Sequence, residues 1–145
     1  MEPMEQEETQ YTRRYAYLVL RHLGRQPLPT DGLSDTQIGQ AEAKLGLRFP
    51  DAVRNYYQVA GNLSELNKTH NQLFDLSDLC LEDNYLIFME ENQAVVHWGI
   101  KTNDLAQPDP EVWQRANSTP PEWYSEKMTF SDFMIRMVDW QLGYY

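Results

Sequence analysis

The chain has 145 residues, 41% of them apolar and 12% aromatic, and a net charge of −10. That length fits one domain, and a domain of this size buries roughly 70% of the surface its unfolded chain exposes, so it folds without covalent staples. A single cysteine, Cys80, excludes an internal disulfide and a cysteine-based zinc site, and the carboxylate surplus repels nucleic acid and anionic membranes, which both need cationic partners.

Residues 1–9 are polar and acidic and are expected to fray, leaving 10–145 as the folded domain. Tyr11, Tyr15, Leu18, Val19 and His22 recur at helical spacing, which predicts a helix over 10–23 with Gly24 as its stop. Residues 26–32 hold two prolines and a glycine and read as a loop. Ser34-Asp35-Thr36-Gln37 is a capping box, in which the serine accepts from the third N–H and the glutamine reaches back. The helix it starts buries Ile38, Ala41 and Leu45 and ends at Gly46. Pro50 suits the first turn of a third helix, whose buried stripe is Val53, Tyr56, Tyr57 and Ala60.

The pattern then changes. Residues 63–71 read as a polar loop and 72–76 as a short strand. Tyr85-Leu86-Ile87-Phe88-Met89 is a strand with apolar residues at both parities, which predicts a sheet covered on both faces, at least in part. A turn at Glu91-Asn92-Gln93 leads to a second strand over 94–100. Residues 104–110 and 117–123 read as loops, and Val112-Trp113 as a short strand between them. The last helix starts near Thr129-Phe130-Ser131 and buries Phe130, Phe133, Met134 and Met137, with Trp140 beside them. Helices, then strands, then a helix give an α+β fold: an antiparallel meander packed by helices.

No constellation carries covalent chemistry. His22, His70 and His97 have no metal-ligand spacing; His22 and His97 read as structural and His70 as a solvated loop residue. Cys80 reads as a small core residue, and its acidic neighbours raise the thiol pKa and blunt it as a nucleophile. Glu82-Asp83 and Glu90-Glu91 are adjacent pairs, which a strand points to opposite faces, so they make poor acid/base dyads. The acidic loop 104–111 lacks the glycine of a calcium loop. No catalytic residue, metal or cofactor is expected. The start Met1-Glu2-Pro3-Met4-Glu5 lacks the basic and apolar regions of a secretory signal, so the expected location is cytoplasmic.

What remains is charge and aromatic surface. Residues 1–74 carry 9 acidic and 8 basic side chains, residues 75–145 carry 13 and 4, and residues 69–100 contain no lysine or arginine. Such a surface keeps a protein soluble, which charge alone favours as its role, and it also attracts a basic protein and speeds its encounter. The partner-binding candidates are therefore Glu82, Asp83, Glu90, Glu91, Asp104, Asp109 and Glu111, with Trp113 and Trp123 as aromatic anchors. Trp98 reads as core.

Several segments together resemble a known family. Residues 40–57, with Phe49-Pro50-Asp51 between two helices, are similar to the opening of the SUKH superfamily, the relatives of the Smi/Knr-type yeast cell-wall synthesis regulator. Residues 84–100, Asp109-Pro110-Glu111-Val112-Trp113 and Thr129-Phe130-Ser131-Asp132-Phe133 resemble its central hairpin, its Asp-Pro-x-Val-aromatic strand and the start of its final helix. The chain departs from the pattern at Val59-Ala60-Gly61-Asn62 and at Ala94, where glycines are common. The resemblance implies an α+β fold without a shared catalytic site. It implies an immunity protein that neutralises a secreted toxin, often a nuclease, through a basic toxin domain, or else a regulatory or scaffold protein acting through other protein contacts.

Overall fold

The computed structural model describes residues 8–144. Its elements run α1 (Gln10–Leu23), α2 (Asp35–Leu45), α3 (Asp51–Ala60), α4 (Ser64–Asn67), β1 (Gln72–Leu73), β2 (Cys80–Glu82), β3 (Tyr85–Glu90), β4 (His97–Lys101), β5 (Glu111–Ala116), β6 (Glu122–Thr129) and α5 (Phe130–Gln141). All the strands pair antiparallel: β1 and β2 share one side of β3, and β4, β5 and β6 follow on the other. The fold is α+β, with helices against one face of the sheet.

Local chemistry fixes the helix ends. The Thr9 hydroxyl accepts from the N–H groups of Tyr11 and Thr12, and the Thr12 hydroxyl accepts from Thr9 N–H at 2.7 Å, so α1 is capped reciprocally. Thr9 also donates to Asn55 Oδ1 at 2.7 Å. Residue 9 thus belongs to the domain, contrary to the expected fraying; the rest of that expectation, for residues 1–7, lies outside the described residues. Ser34 and Gln37 close the expected box at 3.1 and 2.9 Å.

The core forms where α1, α3 and α5 meet the sheet. The α3 stripe Val53, Tyr56, Tyr57 and Ala60 is wholly buried, and Tyr15 meets Tyr56 edge-on at 5.0 Å. A buried phenol needs an acceptor. Tyr15 donates to Ala52 O (2.8 Å), Tyr56 to Asn67 Oδ1 (2.6 Å) and Tyr57 to Phe74 O (2.5 Å). Phe88 of β3 packs against Phe130 and Phe133 of α5. Residues 85–89 are buried without a break, as the two-parity pattern predicts. Leu86 and Phe88 join the main core, whereas Tyr85 and Ile87 stand outside it on the other face.

Several boundaries differ from expectation. The 63–71 segment contains α4, with Leu66 and Asn67 buried, because Asn67 serves both Tyr56 and Ala60 O. β4 begins at His97: Ala94 has a φ of 60° and closes a turn through its N–H to Glu91 O. β5 is longer than expected, and β6 replaces the end of the 117–123 loop and runs on to Thr129. β2 is an additional strand, hinged to β3 by Asp83-Asn84. No helix of the described residues is long and apolar enough to cross a membrane.

Candidate functional site

The sheet distributes the expected binding residues over three places, except Asp104, which lies in the turn after β4 and accepts from Gln107 Nε2 at 3.4 Å. The first is the open face, away from the helices. Along β5 the side chains alternate, so Val112 enters the core while Trp113 and Arg115 face outward. Trp123 of β6 stacks on Tyr85 with ring centroids 3.6 Å apart and planes 8° apart, and Trp113 meets Tyr85 at 6.5 Å. Lys101 Nζ lies 4.1 Å from the centre of the Trp113 ring, and the Arg115 guanidinium 5.5 Å from that of Trp123. Among the described residues the Trp113 indole N–H is buried and finds no acceptor. Burial pushes the Tyr85 phenol pKa up, and the charges of Asp104 and Asp83 add to the effect.

Glu82 and Asp83 also lie here, and both engage Arg115, at 2.7 and 3.4 Å. The strand rule placed them on opposite faces. Asp83 and Asn84 instead form a two-residue hairpin turn, both at positive φ (55° and 67°), the combination that type I′ turns require. The turn swings Asp83 alongside Glu82, so one guanidinium neutralises charge on both. Cys80, at the start of this hairpin, is half-buried and its thiol pKa is raised by burial first and Glu82 second.

Asp109 and Glu111 occupy a second place, where they are structural. Asp109 accepts from Ser131 N–H (2.9 Å) and Ser131 Oγ (2.6 Å) and so holds the first turn of α5. Arg14 of α1 donates to the same Ser131 Oγ at 2.5 Å and to Asp132 at 2.6 Å. Glu111 accepts from Ser125 Oγ at 2.8 Å, across β5 and β6.

Glu90 and Glu91 lie at the far end of β3. Glu90 pairs with His97 at 3.5 Å. Glu91 enters a cleft of about 600 Å³ with Trp98, Trp140, His70, Asn71 and Met137. Among the described residues no lysine or arginine lines this cleft. The loop wall is fixed by Gln141 of α5, whose Oε1 accepts from the N–H groups of His70 and Asn71. Asn71 Oδ1 accepts from Asn92 N–H, and among the described residues its Nδ2 meets only the thioether of Met137, a weak acceptor. The Trp98 indole N–H donates to Glu126 at 3.3 Å. Trp140 is 53% exposed, and His70 leans edge-on against it at 5.4 Å. His70 is an exposed loop residue, as expected, and also forms part of the cleft wall. Trp140 lies seven residues after Phe133, on the same helical face, and periodicity alone ranks it with the buried stripe. At that level of α5 the core has ended, and the indole is left as an exposed rim.

Elsewhere, His22 and Arg21 of α1 engage the two oxygens of Asp139 at 2.7 and 3.2 Å, tying α1 to α5. A groove of about 1180 Å³ runs between α1 and the 26–35 loop, with Tyr17, Leu20 and Leu28 exposed along it. Among the described residues no three histidine, cysteine or carboxylate side chains converge as metal ligands. No protein-family model matches the chain, and no curated protein sequence matches it.

Proposed function

We propose that this chain is a non-enzymatic protein-binding module of the SUKH type, an immunity protein that acts in the cytoplasm by binding a basic toxin domain directly. The observation that carries the reading is the cleft at the end of β3. Glu82, Asp83, Glu90, Asp109 and Glu111 all have partners within the fold. Among the described residues Glu91 meets no side-chain donor, and it lines the same cleft as an exposed indole, where no lysine or arginine lines the wall. A carboxylate left without a cation, next to a large exposed aromatic, suits the centre of an interface with a basic protein. The order of helices, antiparallel meander and final helix also agrees with the family that residues 40–57, 84–100, 109–113 and 129–133 resemble.

The test is to mix the purified chain with the polypeptide encoded beside its gene and measure complex formation and loss of that polypeptide's toxicity. Tight association that weakens as salt rises is the expected result, because exposed charges are screened within ~10 Å at 0.1 M salt. Absence of both complex and protection would end the immunity reading.

A second reading, a regulatory or scaffold protein with a non-toxin partner, draws support from the groove along α1. Tyr17, at 72% exposed, and Leu20 and Leu28 give that groove an apolar floor and rim, the kind of surface that takes an apolar helix or a proline-rich segment. Association that is insensitive to salt and lost on Tyr17→Ala would favour it.

A further inference from the structure

We infer that the cleft at the end of β3 receives one arginine side chain of the partner, its guanidinium laid on Trp140 and paired with Glu91. The inference rests on the binding reading above and specifies the chemistry of its anchor. Three independent features point to a planar cation.

The first is the pairing of groups. Trp140 offers an open indole face, the best side-chain surface for a cation. Glu91, in the same cleft, offers a carboxylate that meets no side-chain donor among the described residues. A guanidinium is flat enough to stack and has forked donors that meet a carboxylate side-on, whereas an ammonium satisfies only the charge.

The second is the local field. The cleft lies at the C-terminal end of α5, where the helix macrodipole is negative. The last turn of α5 contains no basic residue, and the stretch 69–100 that supplies the other wall contains none either. The open face shows the contrast: there Arg115 and Lys101 already lie over the indoles of Trp123 and Trp113. Among the described residues none of the chain's own cations lies over the Trp140 ring.

The third is preorganisation. Gln141 pins the His70–Asn71 backbone, Asn71 holds the Asn92 N–H, and Glu126 holds the Trp98 indole. The walls stand ready without the ligand, which lowers the ordering cost of binding. The side-chain amides of Asn92 and Gln93, exposed on the neighbouring turn, add oxygens for the remaining guanidinium N–H groups.

The experiment uses the whole ¹⁵N-labelled chain and three capped tripeptides, Gly-Arg-Gly, Gly-Lys-Gly and the neutral isostere Gly-citrulline-Gly. The indole N–H signals of the four tryptophans are the readout. The arginine peptide is expected to move the Trp98 and Trp140 signals with a Kd on the order of 10 mM, and to leave Trp113 and Trp123 in place. The lysine peptide should bind about threefold more weakly and the citrulline peptide at least about tenfold more weakly. Glu91→Gln should weaken the arginine peptide about fivefold, and Trp140→Ala should abolish the shift at Trp98. Both positions are at the surface, so an unchanged spectrum elsewhere certifies the fold. Unmoved indoles, or equal shifts from arginine and citrulline or from arginine and lysine, would overturn the inference. If the neighbour-encoded polypeptide binds while the arginine peptide does not, the pocket falls and the binding reading stands; the reverse pair of results leaves the pocket and removes the toxin.

Discussion

Replacing Asp109 by alanine separates a structural carboxylate from a binding one. Asp109 accepts two hydrogen bonds from Ser131, at 2.9 and 2.6 Å, and Ser131 is completely buried at the start of α5. A hydrogen bond to a charged group contributes about 1.5–3 kcal/mol, and an anion at a helix N-terminus adds about 0.3–1 kcal/mol. Asp109 is only half-buried, so water recovers part of the loss. The expected cost is therefore about 2–4 kcal/mol, a sizeable share of the 5–15 kcal/mol that holds a typical domain together. For a chain of this length that corresponds to a Tm lower by roughly 6–15 °C. Urea unfolding of D109A, S131A and the double variant measures it, and the coupling between the sites should exceed about 1 kcal/mol. Binding to the neighbour-encoded polypeptide should be unchanged while D109A remains folded. A D109A variant within about 0.5 kcal/mol of the parent would refute the assignment of Asp109 to the fold.

Three further outcomes are expected. Arg25 and the Leu28 N–H hold the buried Asp31 carboxylate below its ordinary pKa of 3.8 despite the opposing effect of burial, Arg25 being the larger cause. The stability this provides is complete above that value and lost as pH falls through the folded pKa; acid unfolding curves should show Arg25→Met losing less stability than the parent over that window. Burial raises the phenol pKa values of Tyr15, Tyr56 and Tyr57 above the ordinary 10, so these side chains stay protonated in the fold while the unfolded chain ionises, and stability falls as pH rises past 10. A titration followed at the tyrosinate absorption band should find them ionising only together with unfolding. Gly39 and Gly32 should respond to alanine with opposite signs in chemical denaturation. A Cβ at Gly39 meets nothing within 4 Å in the middle of α2, so G39A stabilises by about 0.5–1 kcal/mol. A Cβ at Gly32 would lie 1.6 Å from the Gln58 carbonyl oxygen, so G32A costs about 3 kcal/mol or more.

Much of the helical half was legible because its signals are local. The Ser34–Gln37 box, the Val53–Ala60 stripe and the start of α5 each depend on residues within seven positions of one another. The missed strands depend on pairing with a neighbouring strand and carry little pattern of their own. β6 carries polar residues at both parities and follows two prolines, and its extended form comes from pairing with β5. β2 is three residues long and exists through its register with β3 and the Asp83-Asn84 turn, a dipeptide whose tolerance of positive φ was the available signal. The same limit governs the site. The carboxylate surplus could be read from composition, but which carboxylates are already neutralised could not. Arg115 and Glu82 are 33 residues apart, and Ser131 and Asp109 are 22 apart. The exposure of Trp140, placed beside the buried stripe, was not legible because helical periodicity records a face and not the height at which the core stops.

The most direct measurement maps the contact itself. Titrating the ¹⁵N-labelled chain with the polypeptide encoded beside its gene should move the backbone signals of His70, Asn71 and Glu91–Gln93 together with the Trp140 indole, and leave α1 and the Trp113–Trp123 face unchanged. A tight complex whose shifts fall on Tyr17, Leu20 and Leu28, or on the open face of the sheet, with the Glu91–Trp140 cleft silent, would contradict it.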